Sequence, residues 1–157
     1  LARAPTIDSI SSQRRSLLDA SRTRWTGGNT QVYARGMLAG FLADVIMLER
    51  SKGRRSVSDI FKQLYDDHKH PSESADGNSA AIAVLGRQEG LQPVIDRYIK
   101  GSDPIDWGTA LAAAGIVSTS ENGVTRLAAT AKPNGRQRAL LDKLGYNNWR
   151  RSTRRSQ

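Results

Sequence analysis

The chain lacks cysteine altogether and contains only two histidines and two phenylalanines. The missing cysteines exclude disulfides and thiolate metal sites. No apolar run reaches the roughly 20 residues that a membrane-spanning helix needs, so no membrane span is expected. Aromatic residues make up 6% of the chain, and Trp25, Trp107 and Trp149 are far apart in sequence. They are expected to be separate packing anchors rather than a stacking platform for nucleic-acid bases.

Positive charge is unevenly distributed within the net charge of +9. Residues 132–157 contain eight basic residues and one acidic residue, whereas residues 1–131 contain sixteen basic and fourteen acidic residues. The body is therefore nearly neutral, which argues against a sequence-specific nucleic-acid-binding domain. Residues 150–157 have nothing to bury and are predicted to be a disordered basic tail after one domain, residues 1–149.

The most apolar stretch runs from Asn29 to Arg50 and predicts a buried central helix. Asn29 or Thr30 is suited to cap its first turn, and residues 30–49 are expected to be the most buried part of the protein. Gly36 and Gly40 lie one turn apart and predict a close approach by another backbone. Asp44 interrupts the apolar sequence and needs a partner.

An ion pair is the expected partnership for Asp44. Arg50 and Arg97 are the candidate cations, and an unpaired backbone amide is the alternative partner.

Periodicity and capping residues predict a mainly α fold, a helical bundle of about six to seven helices with a small β-hairpin near the C-terminus. Ser56 and Asp59 form a capping-box pattern before an amphipathic helix. Asn122-Gly123 between two apolar runs predicts the hairpin turn. The amphipathic helix presents a set of apolar residues at helical spacing, namely Val57, Ile60, Phe61, Leu64 and Tyr65. Further helices are predicted over residues 13–25, about 79–88, 93–98, a short segment capped by Asp106, and 135–144, with Ala139, Leu140 and Leu144 facing inward.

The segment Tyr33-Ala34-Arg35-Gly36 opens the central helix and resembles a motif of gluzincin zinc aminopeptidases. The glycyl aminopeptidase family, which usually reads Tyr-Tyr-x-Lys-Gly, is the closer match, although Val32 replaces its first tyrosine. Ala43-Asp44 stands where that family has Leu-Asp. Further blocks resemble the family in the same order over roughly residues 14–117, namely residues 16–21 with Trp25, 55–59, 96–101 and 111–116.

The resemblance implies a role for Tyr33 in the cleavage of peptides. In such enzymes the tyrosine corresponding to Tyr33 donates a hydrogen bond to the oxyanion that forms during hydrolysis. The alternative is a tyrosine that only packs at the beginning of the helix. Arg35, two residues after Tyr33, is a candidate for a contact with a substrate terminus, and a surface charge is the equally weighted alternative.

Zinc chemistry is implied by the resemblance, but its motif is absent from the chain. His-Glu-x-x-His supplies two ligands and the general base in such enzymes, whereas His68 and His70 are separated by one residue and point to different faces of a helix. With Asp66 and Asp67 they are expected to form a solvated surface. We therefore expect no zinc on this chain. Zinc in the full-length protein would be held by an upstream catalytic subdomain of the same polypeptide.

The function favoured by the sequence is that of a C-terminal helical subdomain of a zinc aminopeptidase that releases N-terminal glycine or alanine from peptides. This chain alone is expected to be inactive. Two alternatives stay open: a helical interaction module without catalytic activity, and a module whose basic tail docks on nucleic acid or another anionic surface.

Overall fold

The computed structural model describes residues 15–23, 29–70, 76–122 and 124–144, with the side chains of residues 29–31 and 124 excepted. It confirms a mainly helical fold with a two-stranded antiparallel hairpin near the C-terminus. The described helices are α1 (Leu17–Arg22), α2 (Asn29–Arg50), α3 (Val57–His68), α4 (Gly77–Gly86), α5 (Gln92–Val94), α6 (Gly108–Ala113) and α7 (Gly135–Lys143). A π-helix (Ile95–Lys100) continues α5, and the strands are β1 (Ile116–Glu121) and β2 (Val124–Ala129). The predicted tail at 150–157, Trp25 and Trp149 lie outside the described residues.

Helix α2 is the centre of the core, as predicted, and contributes more buried side chains than any other described element. Two hydrophobic clusters meet on it. Leu38, Leu42 and Met47 belong to the first cluster, whereas Val45 and Leu48 belong to the second. Trp107 packs against both clusters, as expected of a packing anchor.

The C-terminal end of α2 is fixed by a left-handed turn at Lys52 (φ 56°) and Gly53 (φ 77°). The Gly53 amide donates to the Leu48 carbonyl over 2.7 Å. This bond satisfies one of the carbonyl groups that a helix leaves unpaired at its end, so the chain stops being helical where the sequence predicted.

Asp44 accepts a backbone hydrogen bond instead of forming the expected ion pair. Its Oδ1 accepts a hydrogen bond of 2.8 Å from the Val57 amide, the first residue of α3. Arg50 instead pairs with Glu89 over 2.9 Å, and Arg97 pairs with Asp103 over 3.0 Å. The ion-pair prediction was therefore wrong, because an unpaired amide at a helix N-terminus is an equally good partner for a carboxylate.

Helix α3 begins at the predicted capping box, in which the Ser56 amide donates to Asp59 Oδ2 over 2.7 Å. Ile60 is buried, and Val57 and Leu64 pack partly against the first cluster. Phe61 and Tyr65 share the same apolar spacing but are 68% and 69% exposed. The helix contacts α2 and α4 along a narrow stripe, which leaves the rest of its apolar surface uncovered by the described residues.

Three other local predictions need correction. Helix α4 begins at Gly77 because Asp76 is its N-cap, and it ends at Gly86 rather than at residue 88. In α7, Leu140 and Leu141 are buried whereas Ala139 is exposed, so Ala139 was wrongly placed inward. Among the described residues, no atom outside the local α2 backbone comes within 4 Å of a Cβ built on Gly40, so the predicted approach of a backbone is not found at this glycine.

The hairpin packs against α6 and follows directly from it. Gly115 ends α6 with φ 74°, and its carbonyl accepts a hydrogen bond of 2.8 Å from the Thr130 amide. Strands β1 and β2 pair from Ile116 opposite Ala129 to Glu121 opposite Val124. Ile116 is buried in the second cluster, so the hairpin is attached to the core at its base.

Candidate functional site

Tyr33 lies near the beginning of α2 and is 70% exposed. Met37, one helical turn further on, is 48% exposed. Residues four apart lie on the same face of a helix, so these two side chains form one exposed stripe, called here the Tyr33–Met37 stripe. The opposite face of the same turns carries the buried residues Arg35, Leu38 and Ala39. The structure thus places the tyrosine hydroxyl at the surface of a rigidly packed element.

Arg35 is only 5% exposed, so its interpretation as a surface charge was wrong. Its Nη2 donates to the carbonyl oxygen of Asp103 over 2.7 Å, between residues 68 positions apart in sequence. Helical spacing could have predicted this burial, since Arg35 falls on the same face as Leu38, Ala39 and Leu42. A contact between Arg35 and substrate stays a prediction.

The segment that receives Arg35, residues 101–106, is held by a second arginine. Arg97 Nε donates to Asp103 Oδ2 over 3.0 Å, and the Asp103 amide donates to the Arg97 carbonyl over 3.1 Å. The hydrogen bond to Asp103 raises the pKa of the Arg97 guanidinium above its ordinary value. The Arg97 guanidinium therefore stays charged at neutral pH, and its contact with Asp103 braces the segment rather than serving acid–base chemistry.

Buried side chains complete the attachment of residues 101–106. Tyr98 is buried, and its hydroxyl oxygen accepts a hydrogen bond of 3.2 Å from the Asp106 amide. Ile105 is buried in the first cluster. Gly101 leaves no space for a side chain, since an added Cβ would lie 2.7 Å from the carbonyl oxygens of Asp96 and Arg97. Residues 101–106 are therefore fixed against the part of α2 that carries Tyr33. The sequence motifs did not indicate this contact.

The histidine region does not form a metal site within the described part of the chain. His68 and His70 are both exposed at the end of α3. Asp66 pairs with Lys69 over 3.3 Å, and Asp67 lies 4.0 Å from Arg87. Among the described residues, no three His, Cys, Asp or Glu side chains gather in a way that could hold a metal ion. These residues do not fit a zinc centre, and no catalytic step is assigned to a metal on this chain.

Comparison with protein families, with curated proteins and with solved structures finds no match for this chain. Within residues 15–23, 29–70, 76–122 and 124–144, none of the helices has the length and apolar character needed to cross a bilayer.

Proposed function

We propose that this chain is the C-terminal helical subdomain of a zinc aminopeptidase and that Tyr33 stabilises the transition state of peptide hydrolysis. One observation carries the proposal: the motif residue Tyr33 is 70% exposed on a helix whose other side is firmly packed. A tyrosine that only packed at the helix N-terminus would be expected to lose more of its surface.

The proposed role of Tyr33 is to donate a hydrogen bond from its hydroxyl group to the oxyanion of the tetrahedral intermediate. A donor aimed at charge that develops only in the transition state lowers the barrier without tightening substrate binding. Positioning is part of this effect, because a donor that needs no reorganisation is more effective. The contact between Arg35 and Asp103 supports such a role by fixing the helix turn that carries Tyr33.

Activation of the attacking water belongs, in this proposal, to an upstream subdomain of the same polypeptide. The chain has two histidines, and the described residues contain no cluster of ligating side chains. The Tyr33–Met37 stripe supports a contact with that subdomain or with the peptide substrate. Exposed apolar side chains beside a polar donor are common features of substrate-binding surfaces.

The proposal is tested by Tyr33→Phe in the full-length polypeptide that carries the upstream subdomain, with aminoacyl reporters of glycine and alanine. The substitution keeps the ring and removes only the donor. We expect kcat to fall by about a hundredfold or more, with KM nearly unchanged, since the ground-state carbonyl depends less on this donor than the oxyanion does.

Tyr65→Phe is the matched control, because Tyr65 is 69% exposed and lies on a different helix. It is expected to leave kcat unchanged. Equal turnover of the parent and Tyr33→Phe at equal zinc content would refute the catalytic role. Stoichiometric zinc on the isolated chain, or cleavage of the reporter by it, would contradict the assignment of the zinc site to another subdomain.

A further inference from the structure

Six basic side chains gather where the turn after α2 meets α7. Four come from the end of α2 and its turn and two from α7, and together they are called here the basic turn surface: Arg50, Lys52, Arg54, Arg55, Arg136 and Lys143. Two cavities lie on either side of the turn. One, of about 250 Å³, is lined by Lys52, Gly53, Arg136, Ala139, Leu140 and Lys143. The other, of about 200 Å³, is lined by Met47, Arg50, Ser51, Arg54, Arg55, Gln88 and Glu89.

Two of the six cations already form ion pairs within the protein. Arg50 pairs with Glu89 over 2.9 Å. Arg136 pairs with the Glu49 carboxylate and also donates to the Glu49 carbonyl over 3.1 Å, at the end of α2. Cations are favoured there because the last carbonyl groups of a helix are unpaired and carry partial negative charge.

The other four, Lys52, Arg54, Arg55 and Lys143, are exposed and form no ion pair with a carboxylate of the described residues. Their backbone is nevertheless rigid. Ser51 Oγ accepts hydrogen bonds from the Arg54 amide over 3.1 Å and from the Arg55 amide over 2.8 Å. The Lys143 side chain lies 3.9 Å from the Cβ position of Gly53, so α7 is packed onto the turn. The backbone positions that carry these four charges are therefore fixed relative to one another.

We propose that the basic turn surface binds the phosphate backbone of duplex nucleic acid without reading its sequence. One observation supports this proposal. Four cations that have no carboxylate partner among the described residues, from residues 52–55 and 143, lie around two cavities. Guanidinium groups match phosphate geometry, and such contacts supply affinity without base specificity. This binding is independent of the proposed peptidase role of Tyr33.

The distribution of aromatic and apolar side chains favours a duplex over the other polyanions. Membrane-surface binding requires apolar side chains beside the basic ones. The apolar residues that line the two cavities are Met47, Leu140 and Ala139, of which the first two are buried and the third has only a methyl group. The large exposed apolar side chains of the described residues lie outside both linings, namely Tyr33, Met37, Phe61, Tyr65 and Val117. Single-stranded nucleic acid is normally held by stacking on aromatic rings, and the two linings contain none.

The test is fluorescence anisotropy of the present chain with a labelled DNA duplex of about 20 base pairs, between about 50 and 200 mM salt. Four phosphate contacts predict a slope of log K against log salt of roughly −3.6, since each contact contributes about −0.9. The variant Lys52→Asn/Arg54→Gln/Arg55→Gln removes three of these contacts. It should bind at least tenfold more weakly at the lowest salt, with a slope shallower by about 2.7.

A charge-matched control is Lys62→Gln/Lys100→Gln/Arg126→Gln, in which three exposed cations outside both cavities are neutralised. It should keep most of the affinity and the slope, and both variants should keep the melting temperature of the parent. Equal losses in the two variants would show that net charge alone binds DNA and would overturn the proposal. So would the absence of duplex binding at 50 mM salt, at protein concentrations of about 10⁻⁴ M.

Two further measurements distinguish the other sources of binding. Deletion of residues 150–157 should leave the dependence on Lys52, Arg54 and Arg55 intact. Loss of all binding on that deletion, together with no effect of the turn variant, would assign binding to the tail and overturn the proposal. Vesicles of equal parts phosphatidylcholine and phosphatidylserine should bind more weakly than the duplex. Variant-sensitive binding to the vesicles but not to the duplex would overturn it in favour of a membrane surface.

Discussion

Gly40 faces open space on α2, whereas Gly115 is enclosed. No atom outside the local helix backbone lies within 4 Å of a Cβ added at Gly40. A Cβ added at Gly115 would lie 2.8 Å from the Gln137 Cβ, and the backbone there has φ 74°. The same change of glycine to alanine should therefore have opposite effects at the two positions.

We expect Gly40→Ala to raise the free energy of unfolding by about 1 kcal/mol, because glycine inside a helix costs that much relative to alanine. Gly115→Ala should lower it by at least about 1–2 kcal/mol, because a Cβ in left-handed backbone is strained. Urea unfolding followed by circular dichroism measures both. A destabilised Gly40→Ala would show that α2 has a neighbour at this position outside the described residues.

At the level of single helices, α4 depends on a charged N-cap, the Asp76 carboxylate. Asp76 Oδ2 accepts hydrogen bonds from Ser79 Oγ over 2.8 Å and from the Ser79 amide over 3.0 Å. The Ser79 hydroxyl, followed by its amide, lowers the pKa of Asp76 below the ordinary value of 3.8. The folded state therefore favours the carboxylate more than the unfolded state does.

This cap should make the protein less stable at low pH. Its contribution is fully present above the ordinary carboxyl pKa and is lost as the pH falls through the lowered pKa of the folded state. We expect Asp76→Ala to lower the melting temperature at pH 7 and to have a smaller effect near pH 2.5, where a larger fraction of the parent carboxylate is protonated than at pH 7. A melting-temperature difference that is the same at both pH values would show that its charge does not contribute.

The outer face of α3 provides a second test at this scale. Ile60 is 4% exposed, whereas Phe61 and Tyr65 are mostly exposed. Ile60→Ala should cost about 2–5 kcal/mol, because it removes buried methyl groups and leaves a cavity. Phe61→Ser with Tyr65→Ser should change stability little, because exposed side chains lose few contacts. A large loss in the double variant, measured by urea unfolding, would mean that residues outside the described ranges cover this face.

At the scale of the whole molecule, the features that could be predicted from sequence are those decided by neighbouring residues. The bond from the Ser56 amide to Asp59 spans three positions, and the hairpin turn needs only Asn122-Gly123 and its flanking residues. The contact between Arg35 and Asp103 spans 68 positions, and the basic turn surface joins residues 50–55 to 136–143. Neither pairing is indicated by local periodicity. The near-neutral total for residues 1–131 conceals the four cations of residues 50–55, and only their approach to Arg136 and Lys143 depends on the fold.

Both hydrophobic clusters contain side chains of α2, and this should determine how its amide protons exchange. Neither cluster can open without exposing side chains of the same helix, so the two cannot act as independently exchanging units. Amide protons of residues 38–48 should therefore exchange only through global unfolding, with a single protection free energy along the helix. Those at the far end of the hairpin, near Glu121 and Val124, should exchange through local fraying. Two distinct protection levels within α2 would show that the clusters open separately.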